Sequence, residues 1–154
     1  MSQPATRAIL LMNLGSPEST DVKDVRIYLK EFLMDERVID YNYIFRSLLV
    51  KGIIVPFRSP KSAHAYSIIW TEEGSPLIVL TMQLQRALEQ QVEEPVEVAM
   101  RYGNPSPKVV FDNLKNKYPE LREVILLPLY PHYAMSSYET AVEYAKEVHT
   151  KGKY

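Results

Sequence analysis

The chain has 154 residues, of which 46% are hydrophobic and 24% are charged, and its formal net charge is −1. This length and apolar content suffice for one domain with a substantial core, and the balanced charge without a Lys/Arg cluster argues against a nucleic-acid partner. The absence of cysteine excludes a disulfide framework and a thiolate metal site, and it is compatible with a reducing cytoplasm.

The apolar runs of the sequence indicate neither a membrane protein nor a secreted one. Residues 1–6 are mostly polar, and the apolar run at 8–14 is too short and wrongly flanked for a signal peptide. The longest other apolar stretch, 48–57, is interrupted by Lys51 and falls below the roughly 20 residues that a membrane-spanning helix needs. We therefore expect no targeting segment and no transmembrane helix.

Three short runs rich in aliphatic residues, at 7–13, 96–101 and 123–130, predict β-strands. Each is nearly continuous in hydrophobicity, which is typical of parallel strands covered on both faces, and each is followed by turn residues and a helical pattern. The sequence therefore predicts an α/β fold, with a doubly wound, mainly parallel open sheet of the flavodoxin or Rossmann type.

A helical insertion follows the first strand. The apolar spacing predicts helices at about 22–33 and 43–54, and no strand pattern appears between residues 20 and 70. About 80 residues separate the first two strands, where a plain doubly wound domain would need roughly 25. We expect the extra helices, at about 32–70, to form a lip beside the sheet.

Helix starts are predicted at three Ser-Pro pairs, 59–60, 75–76 and 106–107, because serine caps a helix and proline suits its first position. A leucine repeat after the second pair predicts a buried stripe, made of Leu77, Leu80, Leu84 and Leu88. Ser136, Ser137 and Glu139 suggest a capping box for a last helix that ends near residue 152.

Three loops follow the predicted strands, at 13–17, 100–105 and 130–137. In open α/β sheets ligands bind at the carboxyl ends of the strands, where these loops meet. They combine aromatic rings, methionine, hydroxyl groups and one arginine. This chemistry suits a flat apolar ligand with polar edges.

Other common sites are absent from the sequence. There is no GxGxxG or GxxxxGK[ST] phosphate-binding pattern and no GxSxG nucleophile elbow. His64, His132 and His149 lie far apart, without the spacing of a zinc site on one helix. His149 suits a structural role near a helix end, whereas His132 follows a strand and is open to either a structural or a functional role.

The strand-end loops, together with Arg-Ser-Pro-Lys at 58–61 and Gly-Ser-Pro-Leu at 74–77, resemble the N-terminal half of ferrochelatase. Further markers are Leu-Met-Asn-Leu-Gly-Ser-Pro at 11–17, Met-Arg-Tyr-Gly at 100–103 and Leu-Pro-Leu-Tyr-Pro-His-Tyr at 127–133. The resemblance covers nearly the whole chain. It implies insertion of ferrous iron into protoporphyrin IX or a related porphyrin, the last step of haem biosynthesis, in a cleft between two similar domains.

The resemblance implies that residues 1–154 form the porphyrin-binding domain of a two-domain chelatase whose second domain is absent from this chain. It carries over a set of substrate-binding residues: Leu14, Arg58, Tyr66, Ser75, Arg101, Tyr102, Tyr130 and His132. An arginine suits the porphyrin propionates, because a guanidinium binds a carboxylate through two hydrogen bonds. The family has Gln more often at the position of His132, and Leu14 offers only an aliphatic contact.

The resemblance implies no catalytic residue and no metal ligand in this chain. The family's proton-accepting His and its Glu partner belong to the second half, so we expect the 154-residue chain alone to be inactive. Fe(II) enters as a substrate, and no permanently bound cofactor is expected. The expected partners are the porphyrin and either the missing C-terminal half or a second copy of the chain.

The lip at 32–57 carries many apolar residues, and in some family members this region rests on membranes. We therefore expect a cytoplasmic protein with a potential peripheral membrane contact, although the same residues suit a helix pair packed on the sheet. Two alternative functions stay open. One is a half-length homodimeric chelatase of the sirohydrochlorin type, and the other is a tetrapyrrole-binding domain without catalysis.

Overall fold

The computed structural model describes residues 5–154 and divides into two compact units. The sheet unit combines the residues up to Leu14 with Leu80–Tyr154, and the helical unit is Gly15–Val79. The elements in chain order are β1 (Arg7–Asn13), α1 (Val22–Leu33), α2 (Tyr43–Leu48), the π-helix π1 (Leu49–Ile54), α3 (Val55–Ile69), α4 (Pro76–Glu89), β2 (Val96–Met100), α5 (Pro107–Lys117), β3 (Glu123–Pro128), the π-helix π2 (Met135–Glu139) and α6 (Thr140–Gly152).

The sheet has three parallel strands in the order β2-β1-β3. Ile9 lies opposite Val96 on one side and Ile125 on the other, which fixes the register. The predicted α/β fold with a parallel open sheet is confirmed. The bounds of β1 are as predicted, whereas β2 and β3 end slightly earlier than the apolar runs suggested.

One face of the sheet carries the core of this unit. Because side chains alternate along a strand, Ala8, Leu10 and Met12 of β1 point to the same face. They form a cluster with α5 and α6, whose buried members are Val110, Phe111, Leu114, Ala141 and Ala145. Fixing α5 and α6 on this face also fixes the loops that follow β2 and β3.

The strand β3 is less covered than its sequence predicts. Ile125 is 40% exposed and Leu127 44% exposed, so the expected burial on both faces is wrong at this strand. Both residues lie on the face opposite the α5–α6 core, since they alternate with Val124 and Leu126.

Two predicted helix starts are confirmed, at Pro76 and Pro107, and one is wrong. Ser59 and Pro60 lie inside α3, which continues from α2 and π1 without a break. The buried Ser59 hydroxyl donates to the Val55 carbonyl oxygen at 2.6 Å, so it bonds within the helix rather than capping it. Ser106 precedes α5 as predicted, but its side chain makes no capping hydrogen bond.

The predicted leucine stripe of α4 and the predicted capping box of the last helix are also wrong. Leu80 and Leu84 are 62% and 44% exposed, and the buried residue of α4 is Thr81. Two hydrogen bonds link α4 to the strands: Thr81 accepts from Asn13 Nδ2 at 2.9 Å, and Gln85 donates to the Val96 carbonyl at 2.7 Å. The segment with the expected capping box instead forms π2, and no side-chain cap precedes α6.

The helical unit is built from α1 packed on α3, with α2 and π1 leading into α3. The predicted helix at 22–33 is confirmed, and the predicted helix at 43–54 comprises α2 and π1. The buried Arg46 donates to the carbonyl oxygens of Ile39 and Tyr41 at 3.2 and 2.9 Å, which holds the turn before α2. Within residues 5–154, no helix has the length and apolarity to cross a membrane.

Candidate functional site

An arginine at the carboxyl end of β2 lies over two aromatic rings. Arg101 Cζ lies 4.4 Å from the ring centroid of Tyr102 and 4.3 Å from that of Tyr144 on α6. Arg101 Nε donates to Thr140 Oγ1 at 2.8 Å. We call these four residues the arginine clamp. A guanidinium is suited to binding an anionic oxygen, because its planar N–H donors match a carboxylate.

The backbone around the arginine clamp is tied to the end of β1. The Arg101 N–H donates to the Asn13 carbonyl at 2.8 Å, and the Tyr102 N–H donates to the Leu14 carbonyl at 2.9 Å. Asn13 Oδ1 also accepts from the Leu14 N–H at 2.8 Å. The predicted site residues Leu14, Arg101 and Tyr102 are therefore brought together, with Tyr102 fully buried and Leu14 half-buried.

Tyr130 lies close to the arginine clamp, just after β3. Its buried hydroxyl has no hydrogen-bond partner among residues 5–154. Burial raises the pKa of Tyr130 to about 12, and the positive charge of Arg101 acts in the opposite direction. The hydroxyl therefore stays protonated at neutral pH and can donate a hydrogen bond to a ligand.

His132 is exposed in the bend that follows Tyr130. His149, the third histidine of the sequence, lies on α6 as predicted. Its ring centroid lies 5.6 Å from that of Phe111. Because Phe111 belongs to the core, this contact supports a structural role for His149. In the described part of the chain, no three His, Asp or Glu side chains converge as metal ligands would.

In the helical unit, Tyr66 of α3 is part of a row of aromatic rings. Its centroid lies 6.4 Å from that of Tyr28 and 6.1 Å from that of Trp70, both edge to face. The Tyr28 hydroxyl donates to the Gly15 carbonyl at 3.2 Å. Burial raises the pKa of Tyr66, while the hydrogen bond with Tyr28 and the charge of Arg58 lower it.

Arg58 is exposed on α3, eight residues before Tyr66 and on the same side of the helix, since residues four apart share a face. The helical unit thus brings Arg58 and Tyr66 together. Ser75 is buried directly before α4 and accepts the Val79 N–H at its carbonyl at 3.0 Å. The first N–H groups of α4 begin at this residue and can favour an anion.

The sequence-based site residues fall into two groups. Leu14, Arg101, Tyr102, Tyr130 and His132 belong to the sheet unit, whereas Arg58, Tyr66 and Ser75 belong to the helical unit. The prediction missed Thr140 and Tyr144 of the arginine clamp, and Tyr28 beside Tyr66. The four-residue spacing of Thr140 and Tyr144 predicts that they share one side of a helix, but it does not indicate a contact with Arg101.

Comparisons with known proteins indicate one family for nearly all of the chain. A sequence model of the family described as Ferrochelatase matches residues 6–154. The chain is 56% identical over 139 residues to a ferrochelatase of Opitutus terrae, covering 88% of this chain and 40% of the relative. It is 50% identical over 144 residues to a ferrochelatase of Porphyromonas gingivalis, covering 92% and 40%. A ferrochelatase of Pseudomonas syringae pv. tomato is 50% identical over 142 residues, covering 92% and 41%. The chain thus spans about two fifths of the length of these relatives.

Proposed function

The chain belongs to the ferrochelatase family, and we propose that it is the porphyrin-clamping N-terminal half of an enzyme that inserts Fe(II) into protoporphyrin IX or a related porphyrin in the last step of haem biosynthesis. The observation that carries this proposal is the arginine clamp at the carboxyl ends of the sheet, beside the buried hydroxyl of Tyr130, which has no hydrogen-bond partner among the described residues. A neutral donor next to a fixed cation suits an apolar ligand with anionic edges.

Each group of site residues offers one arginine for the porphyrin propionates. Arg101 is fixed by its neighbours, whereas Arg58 is exposed and can follow a propionate by rotating its side chain. Tyr66 can pack its ring on the macrocycle, and Ser75 lies at a helix start whose N–H groups favour a carboxylate. We propose that Leu14, Tyr102 and His132 complete the lining of the porphyrin site.

In the complete reaction, Fe(II) replaces the two protons on the pyrrole nitrogens of the porphyrin. We propose that bending the macrocycle exposes those nitrogens and that a general base accepts the protons. We assign neither the general base nor the Fe(II) ligands to this chain. Both belong, in this proposal, to the portion of the longer relatives that this chain does not match. The 154-residue chain by itself is then expected to bind porphyrin and to insert no iron.

This proposal is tested by titrating the purified chain with protoporphyrin IX and following the absorbance of the porphyrin and the fluorescence of Trp70. Arg58→Met and Arg101→Met should each weaken binding about tenfold or more, because each loses a charge-assisted hydrogen bond. Arg86→Met on the exposed side of α4 is the matched control and should bind as the unsubstituted chain does. Lack of binding would refute the porphyrin-clamping role.

An iron-insertion assay on the same sample separates the alternatives. Activity that appears only when the C-terminal portion of the Opitutus terrae relative is supplied supports the division of function between two halves. Activity of the 154-residue chain alone, as a dimer of identical chains, would support a half-length chelatase instead. Porphyrin binding that never leads to insertion, even with that C-terminal portion present, would support a binding domain without catalysis.

A peripheral membrane contact through the lip at 32–57 is the second part of the proposal. It is supported by the exposure of large apolar side chains along α2 and π1: Tyr43 is 64% exposed, Ile44 72% and Leu48 68%. Such an apolar surface on a cytoplasmic protein is suited to the interface of a bilayer. Sedimentation with phosphatidylglycerol vesicles should decrease for the double variant Ile44→Ser, Leu48→Ser. It should not decrease for Ile68→Ser, at an exposed apolar residue of α3 outside the segment 32–57.

A further inference from the structure

We propose that Thr140 and Tyr144 are positioning residues, which hold the Arg101 guanidinium in the orientation that binds a porphyrin carboxylate. Neither residue belongs to the predicted site, and both act through Arg101. The inference rests on the proposed function, because it requires that the chain binds porphyrin and that Arg101 contacts it.

Two kinds of contact fix the guanidinium in different directions. The rings of Tyr102 and Tyr144, at 4.4 and 4.3 Å from Cζ, attract the guanidinium and oppose its displacement toward either ring. The hydrogen bond from Nε to Thr140 Oγ1, at 2.8 Å, opposes rotation within that plane. This bond lies on the edge of the guanidinium nearest the side chain, and so it sets the direction in which the terminal nitrogens point.

The two positioning residues are themselves held by the core of the sheet unit. Thr140 is fully buried, and Tyr144 lies one helical turn later on α6, on the same side of the helix. Ala141 and Ala145, their neighbours in sequence, are fully buried in the cluster between α5, α6 and the sheet. The positions of Thr140 and Tyr144 therefore depend on α6 as a whole and not on a mobile loop.

The π-helix π2 explains how the chain brings these side chains to Arg101. A π-helix has a wider turn than an α-helix, so Met135–Glu139 changes the rotational register with which α6 begins. Thr140 is the first residue after this change. Such π-helical turns occur frequently at functional sites, which is consistent with Thr140 serving Arg101.

Fixing an arginine before a ligand arrives increases affinity, because the side chain loses less conformational freedom on binding. This gain in affinity applies to ligands whose binding depends on the direction in which the N–H donors point. A carboxylate, bound by two parallel hydrogen bonds, is such a ligand, whereas an esterified propionate has no charged oxygen pair. Loss of the positioning residues should therefore reduce affinity for a porphyrin with free propionates more than for its ester.

The test compares binding of protoporphyrin IX and of its dimethyl ester, in the same dilute detergent, to the 154-residue chain. Thr140→Val removes the acceptor for Nε at nearly constant volume, and Tyr144→Leu removes one ring. Each should weaken binding of the free acid by about threefold to tenfold, part of the loss expected for a charge-assisted hydrogen bond, and leave binding of the ester unchanged. Thr140→Ser and Tyr144→Phe keep the acceptor and the ring and should restore affinity for the acid.

Thr150→Val is the matched control, since Thr150 lies on the exposed side of the same helix and donates to the Lys146 carbonyl. It should change neither affinity. If Arg101→Met weakens binding but Thr140→Val and Tyr144→Leu do not, the positioning role is wrong and the proposed function stands. Equal losses for acid and ester would also overturn it, because they indicate a general structural effect. If the unsubstituted chain binds neither porphyrin, the proposed function is refuted and this inference with it.

Discussion

Replacing Tyr130 by phenylalanine should stabilise the ligand-free chain while weakening its binding of porphyrin. The Tyr130 hydroxyl is buried and has no partner among residues 5–154, so folding removes it from water without a compensating protein hydrogen bond. An unsatisfied buried hydroxyl costs about 1–3 kcal/mol, and phenylalanine keeps the ring. We expect the free energy of unfolding at pH 8 to rise by about 1 kcal/mol, which corresponds to a melting temperature higher by about 2–4 °C for a chain of this size.

Tyr130→Phe should also remove a fall in stability that the unsubstituted chain shows between pH 10 and 12. The pKa of Tyr130 is raised from 10.0 to about 12 in the folded chain, mainly by burial. Below pH 10 both states keep the proton and the hydroxyl has no pH-dependent effect. Between pH 10 and 12 the unfolded chain loses the proton first, so stability falls as the pH rises. Because Tyr130 is partly exposed, the whole fall up to pH 12 is discounted for solvent screening to about 1–2 kcal/mol, of which about a third is reached by pH 10.5.

Thermal unfolding followed by far-ultraviolet circular dichroism, at pH 8 and pH 10.5, measures both effects. Trp70 fluorescence is unsuitable here, because Trp70 belongs to the helical unit. Tyr138→Phe, at another half-buried tyrosine, is the matched control at pH 8. A Tyr130→Phe chain that is less stable than the unsubstituted chain at pH 8 would show that the hydroxyl has a stabilising partner, and the reasoning would be refuted.

Four further substitutions test the packing and the hydrogen bonds. Leu84→Ala should change the free energy of unfolding by less than about 0.5 kcal/mol, because Leu84 is exposed, whereas Leu114→Ala in the α5 core should lower it by about 2–5 kcal/mol. Circular dichroism on the two variants checks this contrast, and equal effects would contradict the described face of α4. Arg46→Met should destabilise the helical unit by about 2–4 kcal/mol, since two hydrogen bonds from a buried cation are lost, and Trp70 fluorescence in urea measures it. Asn13→Ala should cost about 1–2 kcal/mol by circular dichroism, because its side chain makes two hydrogen bonds at the end of β1.

The strands could be predicted from the sequence because buried parallel strands require continuous apolar runs, and 7–13 satisfies this on its own. The helix α4 could not, because apolar periodicity indicates which side of a helix is apolar but not whether that side is covered. Leu80 and Leu84 have the spacing of a buried stripe, yet Thr81 and Gln85 make the bonds to β1 and β2. Hydrogen bonds between a helix and a strand produce no periodic pattern in the sequence from which they could be predicted.

The candidate site was predictable only in part, for a related reason. Arg101 could be identified because it follows a strand, and strand ends are where ligands bind in this fold. Thr140 and Tyr144 could not, because their contact with Arg101 depends on the π-helical turn before α6. The segment 135–139 contains residues that resemble a capping box, and sequence patterns give little warning that a helix will widen by one residue per turn.

Arg58 and Arg101 show that one residue type can serve a ligand in two physical ways. Arg58 is exposed, so its side chain can reach a carboxylate in several rotamers and loses that freedom when it binds. Arg101 has lost much of that freedom in the folded chain, through Thr140 and two tyrosine rings. If the proposed function is correct, the first arrangement should tolerate porphyrins with differently placed propionates, whereas the second should favour a carboxylate at one position. If the proposed function is correct, selectivity among substrates should therefore depend on Arg101 and its positioning residues more than on Arg58.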